Sequence, residues 1–135
     1  MSVKLKMIML LMFGAAIVSA CSSEASKTND DAAALAAKCY YDSLSNGGYE
    51  YFTDMFHREE RIPKSYREQL MANTKMFLYN INKEHNGISE IRVIRCKNDS
   101  IAPTAEAYLL LCFNDSTKEE IVVPMVKYKD KWLMR

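Results

Sequence analysis

Between Ala32 and Asn86 apolar residues recur three or four positions apart, whereas beyond Gly87 they alternate or run in short blocks between turn residues. That change of period predicts helices followed by strands. Asn29-Asp30-Asp31 offers N-cap oxygens to a first helix whose apolar face is Ala33, Ala37, Tyr40, Tyr41 and Leu44. Asn46-Gly47-Gly48 ends it, because glycine enters the left-handed region at little cost. Tyr49, Phe52, Met55 and Phe56 form a short aromatic second helix or turn. Pro63 suits the first position of a third helix, where its missing N–H is not needed. Tyr66, Leu70, Thr74, Phe77 and Ile81 give that helix a stripe running to about Lys83, and Asn86-Gly87 closes it. It is the longest helix expected.

Strands are expected near 88–97, 103–113, 118–128 and 131–135, joined through Asn98-Asp99-Ser100, Asn114-Asp115-Ser116-Thr117 and Lys129-Asp130. Connections this short make neighbouring strands antiparallel. In the second strand Ala105, Ala107, Leu109, Leu111 and Phe113 form a wholly apolar face turned toward the helices. The opposite set, Glu106, Tyr108, Leu110 and Cys112, is partly apolar, and on that outer sheet face a homodimer could pair. The class is α+β, with three N-terminal helices packed on one face of a curved four-stranded antiparallel meander.

Ahead of the domain, Lys4 and Lys6 precede an apolar run from Met7 to Val18 and then small Ser19 and Ala20, the order of a secretory signal. The run falls short of the about 20 residues that span a bilayer. Val18-Ser19-Ala20-Cys21 resembles the bacterial lipobox, in which the cysteine sulfur receives a diacylglyceryl group and cleavage falls just before it. Two or more acyl chains hold a protein to a membrane where one does so only marginally. The organisation is therefore a lipoprotein signal over 1–20, a lipidated polar tether over 21–31 and a domain over 32–135, with Cys21 as the anchor. Ser22 stands where lipoproteins kept at the inner membrane often carry aspartate, so the resemblance points to the outer membrane, with the leaflet open.

The leader holds two of the 18 basic residues and none of the 17 acidic ones, so the remainder is almost neutral, at a formal charge of minus one. That excludes the basic footprint of a nucleic-acid binder. The length suits one domain. An exported chain meets an oxidising compartment, which leaves Cys39, Cys96 and Cys112 as one disulfide plus a thiol or as three thiols. Their spacing matches no zinc signature.

The stretches "AAKCYYDSLSNGGYEYF", "ISEIRVI", "TAEAYLLLCF" and "EEIVVPMVKYKDKW" resemble small exported bacterial lipoproteins of a domain-of-unknown-function family in the nuclear-transport-factor-2-like (cystatin-like, lumazine-binding-like) superfamily. The resemblance extends over nearly all of 32–135 and is clearest at Lys129-Asp130-Lys131-Trp132, although the usual glycine of that last turn is absent. It implies a cone of curved sheet and helices whose interior holds a ligand, with Tyr40, Tyr41, Phe52, Phe77, Leu109 and Trp132 as the candidate lining.

Enzymes of that superfamily place Asp, His or Tyr inside the cone as acids and bases, yet the inward set of the second strand offers none. Tyr40, Tyr41, Asp42, Asp54 and His57 come from the helical half, and Tyr108 from the outer strand face. His57 and His85 lack a partner at metal-binding spacing, no glycine-rich phosphate loop or nucleophile elbow is present, and the charge run from Arg58 to Lys64 reads as a solvated loop. No catalytic residue, metal site or cofactor is assigned. Asp99-Ser100-Ile101 and Asp115-Ser116-Thr117 resemble a sequon for bacterial O-glycosylation, which makes Ser100 and Ser116 candidate modification sites. The expectation is a lipid-anchored envelope protein that binds a small apolar ligand or a protein partner. The alternatives are a pocket enzyme of isomerase, dehydratase or hydrolase type using Tyr40 or Tyr41 with Asp42 or Asp54, and a structural dimerisation module.

Overall fold

The computed structural model describes residues 31–135. The leader, Cys21 and the tether up to Asp30 lie outside the described residues. Helix α1 (Ala32–Ser45) starts with Asp31 at the N-cap, without a side-chain capping bond. Ala33, Ala34, Ala37 and Leu44 are fully buried and Tyr40 almost so. Small side chains at three of these positions let the helix lie close against the sheet, and it touches all four strands. Gly47, at φ 91°, turns the chain out of the helix. Gly48 N–H then donates to Ser43 O at 2.8 Å and Gly47 N–H to Leu44 O at 2.9 Å, the paired bonds of a Schellman end.

Helix α2 (Tyr49–Asp54) packs on α1, and helix α3 (Lys64–His85) packs on α2. Pro63 is not the first residue of α3 but its N-cap, extended at ψ 152°, and its carbonyl accepts the first bonds from Tyr66 and Arg67 at 3.1 Å. The ring fixes φ alike in both positions, so the sequence could not tell one from the other. Asn86, left-handed at φ 63°, closes the helix as expected. The expected stripe of α3 is only half used. Ile81 is buried and Leu70 and Thr74 are half-buried, but Tyr66 and Phe77 are 52% and 43% exposed. Among the strands α3 meets β1, and its main support is α2.

The strands β1 (Ile88–Asn98), β2 (Thr104–Phe113), β3 (Lys118–Tyr128) and β4 (Lys131–Met134) form an antiparallel meander in the order β1-β2-β3-β4. Their bounds fall within a residue of those expected. Ala105, Ala107, Leu109, Leu111 and Phe113 are all buried, and the register sets them beside Ile91 and Val93 on one side and Ile121, Val123 and Met125 on the other. The β3–β4 turn puts Lys129 and Asp130 in the left-handed region at φ 51° and 63°, the two-residue hairpin geometry usually served by Asn-Gly. One contact was not foreseen. After α2 the chain lies parallel to β4: His57 N–H donates to Met134 O at 2.7 Å and Met134 N–H to Met55 O at 2.9 Å. That covers part of the edge which so short a strand would otherwise expose.

Candidate functional site

The concave face of the sheet is filled. Leu109 and Ala107 are fully buried, and the Tyr40 hydroxyl crosses from α1 to donate to the Trp132 carbonyl at 2.6 Å. Burial, with Tyr51 nearby, pushes the Tyr40 phenol up to about 12, so it stays a donor at any ordinary pH. Three of the six candidate pocket residues, Tyr40, Leu109 and Trp132, therefore belong to the packed core or its margin.

The other three meet elsewhere. Tyr41, Phe52 and Phe77 line an open cleft of about 300 Å³ within the helical layer, together with Thr53, Phe56, Arg58, Leu70, Asn73 and Thr74. Its inner wall is an aromatic chain: Tyr41 and Phe52 meet edge to face at 5.0 Å, and Phe52 and Phe56 do so at 5.5 Å. Such pairs hold ring positions as well as burying area. The cleft lies where α3, which leans on α2 more than on the sheet, leaves Leu70, Thr74 and Phe77 across a gap from Tyr41.

The polar atoms of the wall divide into two kinds. Thr74 donates its hydroxyl to Leu70 O at 3.0 Å, and Thr53 lies 3.4 Å from the Thr74 oxygen, so both hydroxyls are engaged within the wall. Arg58, half-buried, spends one nitrogen, Nη1, on the carbonyls of Thr53 (3.1 Å) and Phe56 (3.4 Å) and lies 5.8 Å from the Phe56 ring centre. It is not part of a solvated loop, as its charged neighbours had implied. Asn73 accepts from Gln69 at 3.1 Å through its oxygen, which leaves its amide NH₂ as a donor. Burial raises the Tyr41 phenol, which keeps its proton and remains a donor as well.

The acid–base groups considered for catalysis are not gathered on this cleft. Asp42 pairs with Lys38 at 2.7 Å. Asp54 is exposed and held by both ends of the Arg67 fork, at 2.9 and 2.7 Å, and these bonds keep its carboxyl below the usual range. His57 lies against Tyr128 at 4.8 Å, and Tyr108 on the outer sheet face lies beneath Arg95 at 3.8 Å. A larger groove of about 600 Å³ between α1 and β1 is lined by paired charges, Lys38 with Asp42 and Arg92 with Glu90. Cys96 and Cys112 are thiols on neighbouring strands, beside Ala107 and Glu90 respectively and so on opposite faces of the sheet. Among the described residues no group of three or more His, Cys, Asp and Glu side chains could hold a metal ion, and no described helix is long and apolar enough to cross a membrane.

A second cluster escaped sequence reasoning. His85, the last residue of α3, stacks on Phe113 at 4.2 Å, and its Nδ1 lies 2.8 Å from Asp115 and 3.2 Å from the Thr117 hydroxyl. Bonds from the Thr117 hydroxyl, from His85 and from the Thr117 N–H bring the Asp115 carboxyl down to about 2. With Asn114 donating to the Asn86 and Gly87 carbonyls, the cluster ties the end of α3 to the β2–β3 turn. Thirty residues separate the partners, and no local motif announces them. Ser116 is exposed in that turn at φ 73°, and Ser100 is exposed in the β1–β2 connection beside Asp99, which caps the N–H groups of Ile101 and Ala102.

Helices followed by a curved four-stranded meander, with one helix lying across all its strands, define an architecture found among solved structures. The chain is similar to a Campylobacter jejuni protein provisionally named an NTF2-like transpeptidase, with a TM-score of 0.60 and 17% identity over 73% of this chain and 92% of that one. No family model and no curated protein matches the sequence. The fold is nuclear-transport-factor-2-like.

Proposed function

We propose that this chain is a lipid-anchored protein of the bacterial cell envelope, held through Cys21 at the outer membrane, whose domain binds a small apolar ligand in the cleft between α1, α2 and α3. One observation carries the binding part: an aromatic-walled space of about 300 Å³ with a few polar groups at its border and none of the paired acid–base residues a pocket enzyme would need there. The name of the Campylobacter protein raises transpeptidation, but nothing in this cleft supplies a Cys or Ser nucleophile beside a base. The anchor rests on the signal and lipobox pattern of residues 4–21.

Native mass spectrometry of protein isolated from membranes, followed by thermal-shift titration with the extracted envelope lipids, tests the binding. A co-purifying apolar species and a rise in Tm are expected, both lost in Phe77→Asp. A bare domain with no response to any extract overturns the reading. The anchor is tested separately: Cys21→Ser should move the protein from the membrane to the soluble fraction, and unchanged fractionation rejects it. The turn serines extend the reading to the mature surface, with Ser100 and Ser116 as O-glycosylation sites. An intact mass accounted for by lipid alone removes that extension.

A further inference from the structure

Both threonine hydroxyl protons of the cleft wall are engaged, by the Leu70 carbonyl and by the Thr74 oxygen, and the donors left over are Nε and Nη2 of Arg58, the NH₂ of Asn73 and the Tyr41 phenol. Arg58 is also a cation that makes no ion pair among the described residues. Asp54, whose carboxyl feels the Arg58 charge, is already forked by Arg67. A half-buried guanidinium held by two backbone carbonyls is fixed in place and still carries donors suited to a planar anion. The rest of the lining is mostly aromatic and aliphatic, from Tyr41, Phe52, Phe56, Leu70 and Phe77, with Thr53, Thr74 and Asn73 among them. The volume sits at the lower end of ligand pockets, about 300–1,000 Å³, which admits a chain or a ring but not a bulky lipid.

We propose that the cleft takes a small carboxylate amphiphile, a medium-chain fatty acid or an aryl-alkyl acid, with its apolar body against Tyr41, Phe52 and Phe77 and its carboxylate on Arg58. The proposal rests on the cleft being the ligand site. It adds that the head group, not the apolar body alone, decides what enters. Asn73 lines the same cleft from α3, so a ligand seated there touches both α3 and the segment that follows α2.

The test uses the full chain and three probes of equal length below their micellar concentrations: octanoate, octanol and octylamine. Calorimetry should show octanoate binding at least tenfold more tightly than octanol, with octylamine weakest. Arg58→Gln should bring octanoate to the affinity of octanol while leaving octanol unchanged, and Phe77→Asp should abolish both. Because Arg58 also braces the turn after α2, an NMR measurement on the unaltered protein stands beside the variant: the Arg58 Nε–H resonance should shift on adding octanoate and stay put on adding octanol. Equal binding of octanoate and octanol, with an unmoved Arg58 resonance, overturns the head-group proposal and leaves the apolar cleft standing. Binding that survives Phe77→Asp, or no binding of any probe, overturns both.

Discussion

Helix α1 has 14 residues and helix α3 has 22, yet the shorter one organises the core. Helix α1 buries Ala33, Ala34, Ala37, Tyr40 and Leu44 and lies across every strand, whereas α3 buries Leu78 and Ile81 and leaves Tyr66, Met76, Phe77 and Tyr79 exposed. The difference lies in side-chain size and in where the apolar positions sit. Alanines on one face bring a helix backbone down onto a sheet, and large side chains scattered around a cylinder cannot all be covered from one side. The dense half holds the buried core, and the loosely supported half leaves the open cleft.

The largest expected effect falls in the dense half. Leu109→Ala opens a cavity in the fully buried layer between β2 and the helices, and should cost about 2–5 kcal/mol in urea unfolding. If it costs no more than a surface substitution, α1 is not the packing centre. Tyr40→Phe comes next. It removes the bond to the Trp132 carbonyl in a region almost closed to water, with an expected loss of about 1–2 kcal/mol and little change in the helical circular dichroism signal.

The sheet was the most legible part of the fold, because alternating apolar positions and turn residues mark both faces and both ends of each strand. The β3–β4 hairpin was found even though Lys129-Asp130 lacks the glycine that such a turn prefers. Periodicity also located an apolar stripe on α3, but a stripe says what would be buried if something covered it, and not whether anything does. The cleft was therefore half visible. Tyr41, Phe52 and Phe77 stand out as aromatic positions on helices, whereas Arg58 sits within a charged run and Asn73 on a polar flank, and only the tertiary arrangement turns them toward a common space. The clamp of His85 on Asp115 joins two element ends whose proximity depends on how α3 meets the sheet.

That hairpin offers a change of opposite sign. Lys129→Asn with Asp130→Gly puts at the two left-handed positions a residue that tolerates that region and one without a β-carbon, and should raise stability by about 1 kcal/mol. A null result in thermal unfolding would mean that the turn is already accommodated by its surroundings. Such a gain at the sheet end should leave octanoate binding unchanged, which separates the two halves again.

The junction between the halves should be sensitive to acid. Asp115 has its folded value lowered from 3.8 to about 2, so its contribution is present in full above the unfolded value and is lost as pH falls through the folded one. Between pH 5 and pH 2 the amide protons at the end of α3 should lose protection before those of β2 and β3 do. Asp115→Asn should flatten that dependence in hydrogen exchange. Strand and helix amides opening together would show that the clamp does not join separable parts.

The smallest effect expected is on the outer face of α3. Met76 and Tyr79 are 59% and 60% exposed, so replacing either with alanine should change stability by less than about 0.5 kcal/mol, against several for Leu109. The measurement is most useful as a paired one, with Met76→Ala and Tyr79→Ala combined and Tm followed over a hundredfold range of protein concentration. Independent of concentration and nearly additive, the result would confirm a helix whose far side faces water. A double variant that costs more than about 1 kcal/mol, or a wild-type Tm that climbs with concentration while the variant's does not, would show that a second surface covers this face. In that case α3 would be a packed helix after all, with part of its support supplied from outside the domain, and the contrast with α1 would concern which partner does the covering rather than how much is covered.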